Sequence, residues 1–389
     1  MAIWWYITAV WSRILQVFLF QLRAKPLTVS ASRWNEDVLY HIFSSALSQD
    51  LLQAALVCRD WSPTARRLLY SRIFFDSDAP NASALARTLR TCPHLRKFVR
   101  FLSVTSGLST RDATIFDWLE LIPEHGLREV TVKLLGRNDQ FAQLVLQSPA
   151  VRTTPSLIIR GFFATSPEIL CSCLELPSLE RISFHLQREW GPIALNPTAK
   201  LRRLSIGAYR YYYTIGHLLA VFGPHLDHID IDITGTGVSE DEVEDLVILL
   251  PLHAGRIRTL AFQSYQLPFA PFIDDLVERL PCLLHLHCGY GSYSSALFDQ
   301  LPHRLRTLQL DGNHRHPFPA QDIIRAIDRV GAGKSELEAL SVVVQCHGHH
   351  NELTDVAHSC ERNGVSFRIL TVGRADILTT SFACATFEA

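Results

Sequence analysis

The chain has 389 residues, long enough for more than one domain and a large core. Hydrophobic residues make up 48% of it and charged residues 19%, which excludes disorder as its general state. A formal net charge of −1 gives no strongly basic face for nucleic acid. Nine cysteines, odd in number and irregularly scattered, read as reduced thiols of a cytoplasmic or nuclear protein, not as a disulfide framework.

Residues 1–28 form the first segment. Its apolar run includes Ile3, Trp4, Trp5, Ile7, Val10, Trp11, Ile14, Leu15, Val17, Phe18, Leu19 and Phe20. Residues 1–22 have the length of one membrane crossing, about 20 residues. Arg13 near the middle would cost about 2.5–3.5 kcal/mol at the bilayer centre. Arg23 and Lys25 follow the run and would hold the rest of the chain on the cytosolic side. No cationic stretch precedes it and no small-residue cleavage site is evident, which argues against a secretory signal. Three readings stay open: a membrane anchor or interfacial helix, a helix packed on the body, and a poorly ordered extension. The tryptophans favour membrane contact, because indole rings prefer interfacial depth.

Residues 29–75 carry several short amphipathic helices. Asn35 can cap the first, with Glu36 and Asp37 suited to its positive first turn. Val38, Leu39, Ile42, Phe43 and Leu47 recur at helical steps and form one broad apolar face. Ser48 or Asp50 can cap the second helix, which carries Leu51, Leu52, Ala55 and Leu56. Val57, Cys58 and Trp61 extend its apolar face. Ser62-Pro63 reads as a third start, with Ala65, Leu68 and Leu69 as its stripe. So much apolar surface on so small a unit points to a docked partner.

This stretch resembles an F-box. The matching residues are Glu36-Asp37-Val38-Leu39, Ile42-Phe43, Asp50-Leu51-Leu52, Leu56-Val57-Cys58-Arg59 and Trp61. The tail from Ala65 to Tyr70, with Ile73 and Phe74, resembles the continuation found in fungal F-box proteins. The family usually opens with Leu-Pro, and Arg33-Trp34 stands in that place here. The resemblance implies docking on the Skp-family adaptor of a cullin–RING ubiquitin ligase through an apolar helix face. By position, Val38, Leu39, Ile42, Phe43, Leu51, Leu52, Leu56, Val57, Cys58 and Trp61 are the candidates for adaptor binding or for the unit's own core.

From residue 76 to 389 the pattern changes to a recurring Leu-x-x-Leu-x-Leu phrase. Copies are read at Leu95–Val99, Leu127–Val132, Leu179–Phe184, Leu201–Ile206, Leu226–Ile231, Ile257–Phe262, Leu283–Cys288, Leu305–Leu310 and Leu337–Val342, with a weak one at Phe367–Val372. Their steps of about 22 to about 32 residues fall near the range of leucine-rich repeats. The first leucine enters the core, and the next two point inward from a strand of period two. One repeat cannot bury that face alone, so neighbours must stack. Helical runs at 241–250, 272–280 and 321–327 lie between the strands. The expected fold is α/β: a helical F-box followed by an irregular leucine-rich-repeat-like horseshoe with a parallel sheet. A compact α/β domain is the alternative architecture.

Signals for chemistry are poor, and neither a catalytic residue nor a cofactor is expected. Gly331-Ala332-Gly333-Lys334-Ser335 imitates a phosphate loop, but Asp328 stands where its first glycine is needed. The expectation there is a glycine helix stop. Cys346, His347, His349, His350, His358 and Cys360 are zinc-type donors, yet their spacing fits no familiar finger, so no metal is expected. Cys171 and Cys173 read as packing. Tyr209, Arg210, Tyr211, Tyr212 and Tyr213 follow a strand and are of the types that dominate binding hot spots. They are the candidate substrate contacts, with Gly289–Tyr293 as an adjoining stretch. The implied function is a substrate-recruiting subunit that holds an unknown protein substrate near the ligase. A repeat scaffold without a ligase role is the alternative.

Overall fold

The computed structural model describes residues 35–106, 113–134, 139–161, 166–186, 198–208, 212–233, 240–264, 271–312, 318–344 and 350–371. The N-terminal apolar run and Arg33-Trp34 therefore lie outside the described residues. Among the described residues, no helix is long and apolar enough to cross a membrane. The chain divides into two compact units between Ser71 and Arg72.

The first unit is three helices: α1 (Glu36–Ser44), α2 (Ser48–Val57) and α3 (Trp61–Ser71). Asn35 caps α1 as expected, its Oδ1 accepting from the Asp37 amide at 3.2 Å. No side chain caps α2, where Leu47 occupies the N-cap position, so neither Ser48 nor Asp50 has that role. The third helix starts one residue before Ser62, at Trp61.

The second unit is a parallel sheet whose strands lie side by side in sequence order. They are β1 (Arg72–Asp76), β2 (Phe101–Ser106), β3 (Glu129–Leu134), β4 (Ser156–Gly161), β5 (Arg181–Leu186) and β6 (Arg203–Ala208). The sheet continues with β7 (His228–Ile233), β8 (Thr259–Ser264), β9 (His285–Cys288), β10 (Thr307–Gly312), β11 (Ala339–Val344) and β12 (Ser366–Thr371). The expected helices are present as Glu240–Ala254, Phe272–Glu278 and Ala320–Gly331, and successive helices pack on one another.

The repeat phrase explains this order. In Leu201-x-x-Leu204-x-Ile206, Leu226-x-x-Ile229-x-Ile231 and Ile257-x-x-Leu260-x-Phe262, every named position is buried. A backbone rung recurs with it. The carbonyl of Arg202 accepts from the amides of Asp227 and His228, that of Asp227 from Arg258 and Thr259, and that of Arg258 from Leu284 and His285. The same rung runs from Leu284 to Arg306 and from Arg306 to Glu338. Each repeat thus satisfies backbone groups of its neighbour, as stacking requires.

Three strands differ from the sequence reading. Ile73 and Phe75 are buried in β1, which belongs to the sheet, although Ile73 and Phe74 read as a tail of the helical unit. Leu95 sits in a short helix that starts at Pro93, so β2 begins only at Phe101, and Val99, Leu102 and Val104 fill the core positions. A copy at Thr154, Leu157 and Ile159 forms β4, with a fully buried threonine in place of the first leucine.

Candidate functional site

The helical unit sorts its apolar residues into two groups. Leu39, Phe43, Leu51, Ala54 and Ala65 are buried together as its core. Ile42, Ala46, Ala55, Trp61, Leu68 and Leu69 pack against that core while staying partly exposed. The Phe43 and Trp61 rings meet edge to face with centroids 5.4 Å apart, which joins α1 to α3. Glu36 pairs with Arg67 at 3.6 Å, and the Arg67 guanidinium lies over the Tyr40 ring, on the exposed side of the same two helices.

The second group faces water. Leu56 is 75% exposed and Leu52 51%, and they lie one turn apart on α2. Leu47 at the N-cap of α2 is 71% exposed. Val38, Tyr40 and Val57 are also exposed, and so is Cys58. The candidate adaptor residues therefore divide. Leu39, Phe43 and Leu51 hold the unit together, Ile42 and Trp61 are half-buried, and Val38, Leu52, Leu56, Val57 and Cys58 are open to a partner. Adjacent letters such as Val38-Leu39 and Leu51-Leu52 do not reveal this division, since both members of each pair suit an amphipathic helix.

The F-box-like family model matches residues 36–76. The chain carries an F-box-like domain. It spans α1, α2, α3 and the whole of β1. No curated protein matches the chain.

The sheet holds a second constellation, on the face opposite the leucine core. Strand register places Ser205, Asp230, Ala261, His287, Gln309 and Ser341 in one transverse row. Two residues further along, Gly207, Asp232 and Gln263 form the next row, with Asp311 and Val343 at the same level beyond β9. Asp230 accepts from the Ser205 hydroxyl at 3.2 Å. His287 pairs with Asp311 through Nε2 at 2.9 Å, and the Gln309 amide lies 3.1 Å from the same nitrogen. Burial alone would keep His287 neutral, but the charges of Asp311 and Asp230 outweigh it and raise its pKa. Burial, helped by the neighbouring charge of Asp230, pushes the Asp232 carboxyl up to about 8. Neither Asp232 oxygen has a hydrogen-bond partner among the described residues.

Sequence reasoning missed these groups, although Ile229-Asp230-Ile231-Asp232-Ile233 carries their signal. Strict alternation places both carboxylates on one sheet face and the isoleucines on the other.

The remaining sequence candidates fall as follows. Tyr209, Arg210 and Tyr211 lie outside the described residues, between β6 and the helix Tyr212–Phe222, which Tyr212 and Tyr213 begin. Tyr293 is buried and donates to the Asp311 carbonyl at 3.2 Å, so it packs the sheet interior instead of extending a surface. Gly331 ends a helix, and Gly333 adopts a φ of 69°. The Lys334 amide donates to the Arg329 carbonyl and that of Gly333 to Val330, a Schellman stop and not a phosphate cradle. Cys346, His347 and His349 lie outside the described residues. His358 is exposed while Cys360 is buried on the same helix, and burial pushes the Cys360 thiol up to about 11. Cys173 is fully buried, and burial raises its thiol pKa too. Among the described residues no group of three His, Cys, Asp or Glu side chains is arranged to hold a metal ion.

Proposed function

We propose that this protein is a substrate-recruiting subunit of a cullin–RING ubiquitin ligase. Its F-box-like helices dock on the Skp-family adaptor, and the repeat region holds a protein substrate as a curved leucine-rich-repeat-like horseshoe. The observation that carries this reading is the apolar surface left on α2 after its core is satisfied: Leu47, Leu52, Leu56 and Val57 remain exposed. A stripe of that kind on so small a unit marks an interaction site. Val38 and Cys58, also exposed, complete the candidate adaptor residues open to a partner, while Ile42 and Trp61 are half-buried. No chemistry is asked of the chain. It raises the substrate's effective concentration near the ubiquitin-loaded enzyme.

The repeat region offers two surfaces to a substrate. One is the stretch Tyr209, Arg210, Tyr211, Tyr212 and Tyr213 after β6, rich in hot-spot residue types. The other is the sheet face that carries Asp230, Asp232, His287 and Asp311. Cytoplasm or nucleus suits this role, and residues 1–22 would add a membrane contact if they insert. A scaffold without a ligase role is the second reading, favoured by Arg33-Trp34 where the family carries Leu-Pro.

Assembly with purified components tests the proposal. Full-length protein mixed with a Skp-family adaptor and its cullin–RING partner is expected to elute as one complex. A folded chain that elutes apart from the adaptor would leave the scaffold reading.

A further inference from the structure

One carboxylate of the outward sheet face has no hydrogen-bond partner among the described residues. Asp230, Asp232 and Asp311 supply three acids within two adjacent rows, and each is at least nine-tenths buried. His287 pairs with Asp311. Asp230 has the Ser205 hydroxyl. Asp232 is 5% exposed and has no hydrogen-bond partner among the described residues for either oxygen. It shares a strand face with Asp230, two residues away, so it points into the same cluster. A buried carboxylate without a donor is costly unless another group completes it.

The surroundings fit a cation from outside the chain. On β8, Ala261 stands level with Asp230 of β7 and His287 of β9, so the smallest side chain of that row lies between them. The Asp230 charge is felt at His287 across Ala261. The His287 and Asp311 side chains keep 12% and 11% exposure, so the cluster reaches solvent at its edge. Arg181 and Arg203 stand side by side in the row at the N-terminal ends of β5 and β6. A positive group is therefore repelled there and drawn toward the Asp232 and Asp311 level. No described trio has the arrangement of a metal site, which favours an organic cation.

We propose that the outward face of β6–β10 is a receptor for the cationic side chain, arginine or lysine, of a protein ligand, seated against Asp230, Asp232 and Asp311. The inference rests on the recruiting-subunit reading only for the ligand's identity as a substrate. In the free protein Asp232 keeps its proton through much of the neutral range, and an arriving cation displaces that proton.

Pools of short peptides with random flanks around a fixed central residue test this. The centre is arginine, its neutral isostere citrulline, lysine, or norleucine. Each pool is passed over full-length protein, and the retained fraction is quantified by mass spectrometry. The arginine or the lysine pool is expected to be retained roughly tenfold above its neutral counterpart, in line with a desolvated charge pair. Which of the two prevails identifies guanidinium or ammonium as the group read. The preference is expected to vanish in an Asp230→Asn, Asp232→Asn double variant that melts no lower than wild type. If that variant is unfolded, Ala261→Leu adds bulk between Asp230 and His287 without changing charge and should abolish the preference as well. Equal retention of cationic and neutral pools, retention of neither, or a preference that survives a folded variant would overturn the proposal. Adaptor binding measured on the same preparations keeps the two readings apart, because neither Asp230 nor Asp232 belongs to the helical unit.

Discussion

Replacing Phe43 by alanine is expected to unfold the helical unit while leaving the sheet intact. Phe43 is 5% exposed, packs with Leu39, Leu51, Ala54 and Ala65, and meets the Trp61 ring at 5.4 Å. Truncating a buried phenylalanine costs about 3–5 kcal/mol. A helical unit of roughly 40 residues has a total stability of only about 2–6 kcal/mol at typical per-residue values. The single substitution therefore removes an amount comparable to all the stability the unit has. Amide hydrogen exchange by mass spectrometry reads this directly. Peptides from α1, α2 and α3 should lose protection, and those from β3 to β10 should keep it. Leu56→Ala removes a comparable apolar side chain from an exposed site and should change stability by no more than about 0.5 kcal/mol. Protection that persists over α1–α3 in Phe43→Ala would refute the division into core and docking face.

Three further outcomes follow from the structure. Asp232 has a folded pKa of about 8 against an ordinary 3.8, so its contribution to stability is fully present below pH 4 and is lost as the pH rises to 8. The melting temperature of Asp232→Asn, measured against wild type, should gain with pH across that window and level off above it; a difference that does not change with pH would contradict this. Gly364, with a φ of 71°, closes the last described helix, where the Val365 amide donates to the Cys360 carbonyl. Gly364→Ala should cost about 1–2 kcal/mol in denaturant unfolding, and no loss would show that the backbone there is not held left-handed. A Cβ on Gly223 would stand 2.5 Å from the His253 carbonyl oxygen, so Gly223→Ala must move backbone and should cost about 1–3 kcal/mol by the same assay.

Much of the sheet was legible because stacked repeats impose period two on every strand, as Leu201-x-x-Leu204-x-Ile206 shows. The lapses have physical causes. Thr154 hides β4 because a threonine can be fully buried beside a strand start when its hydroxyl finds a backbone oxygen, here that of Ser156 at 3.5 Å. Leu95 misleads because Pro93 opens a short helix that uses the leucine for its own burial. In the helical unit the pattern located the helices but not their faces. Val38 and Leu39 are neighbours of similar hydropathy, and only packing against Ala65 and Trp61 decides which one is buried. The acidic cluster needed register as well as pattern. Asp230 and His287 are far apart in sequence and meet in one row only through the alignment of β7, β8 and β9.

The central claim is that the exposed apolar stripe of α2 seats a Skp-family adaptor. Its most direct test is a binding titration of that adaptor against the full-length protein and a Leu52→Asp, Leu56→Asp double variant, with melting temperatures measured alongside. Saturable binding by wild type, weakened at least about a hundredfold in a variant with an unchanged melting temperature, is the predicted result. Binding of equal strength by the two proteins, or none by the folded wild type, would contradict it.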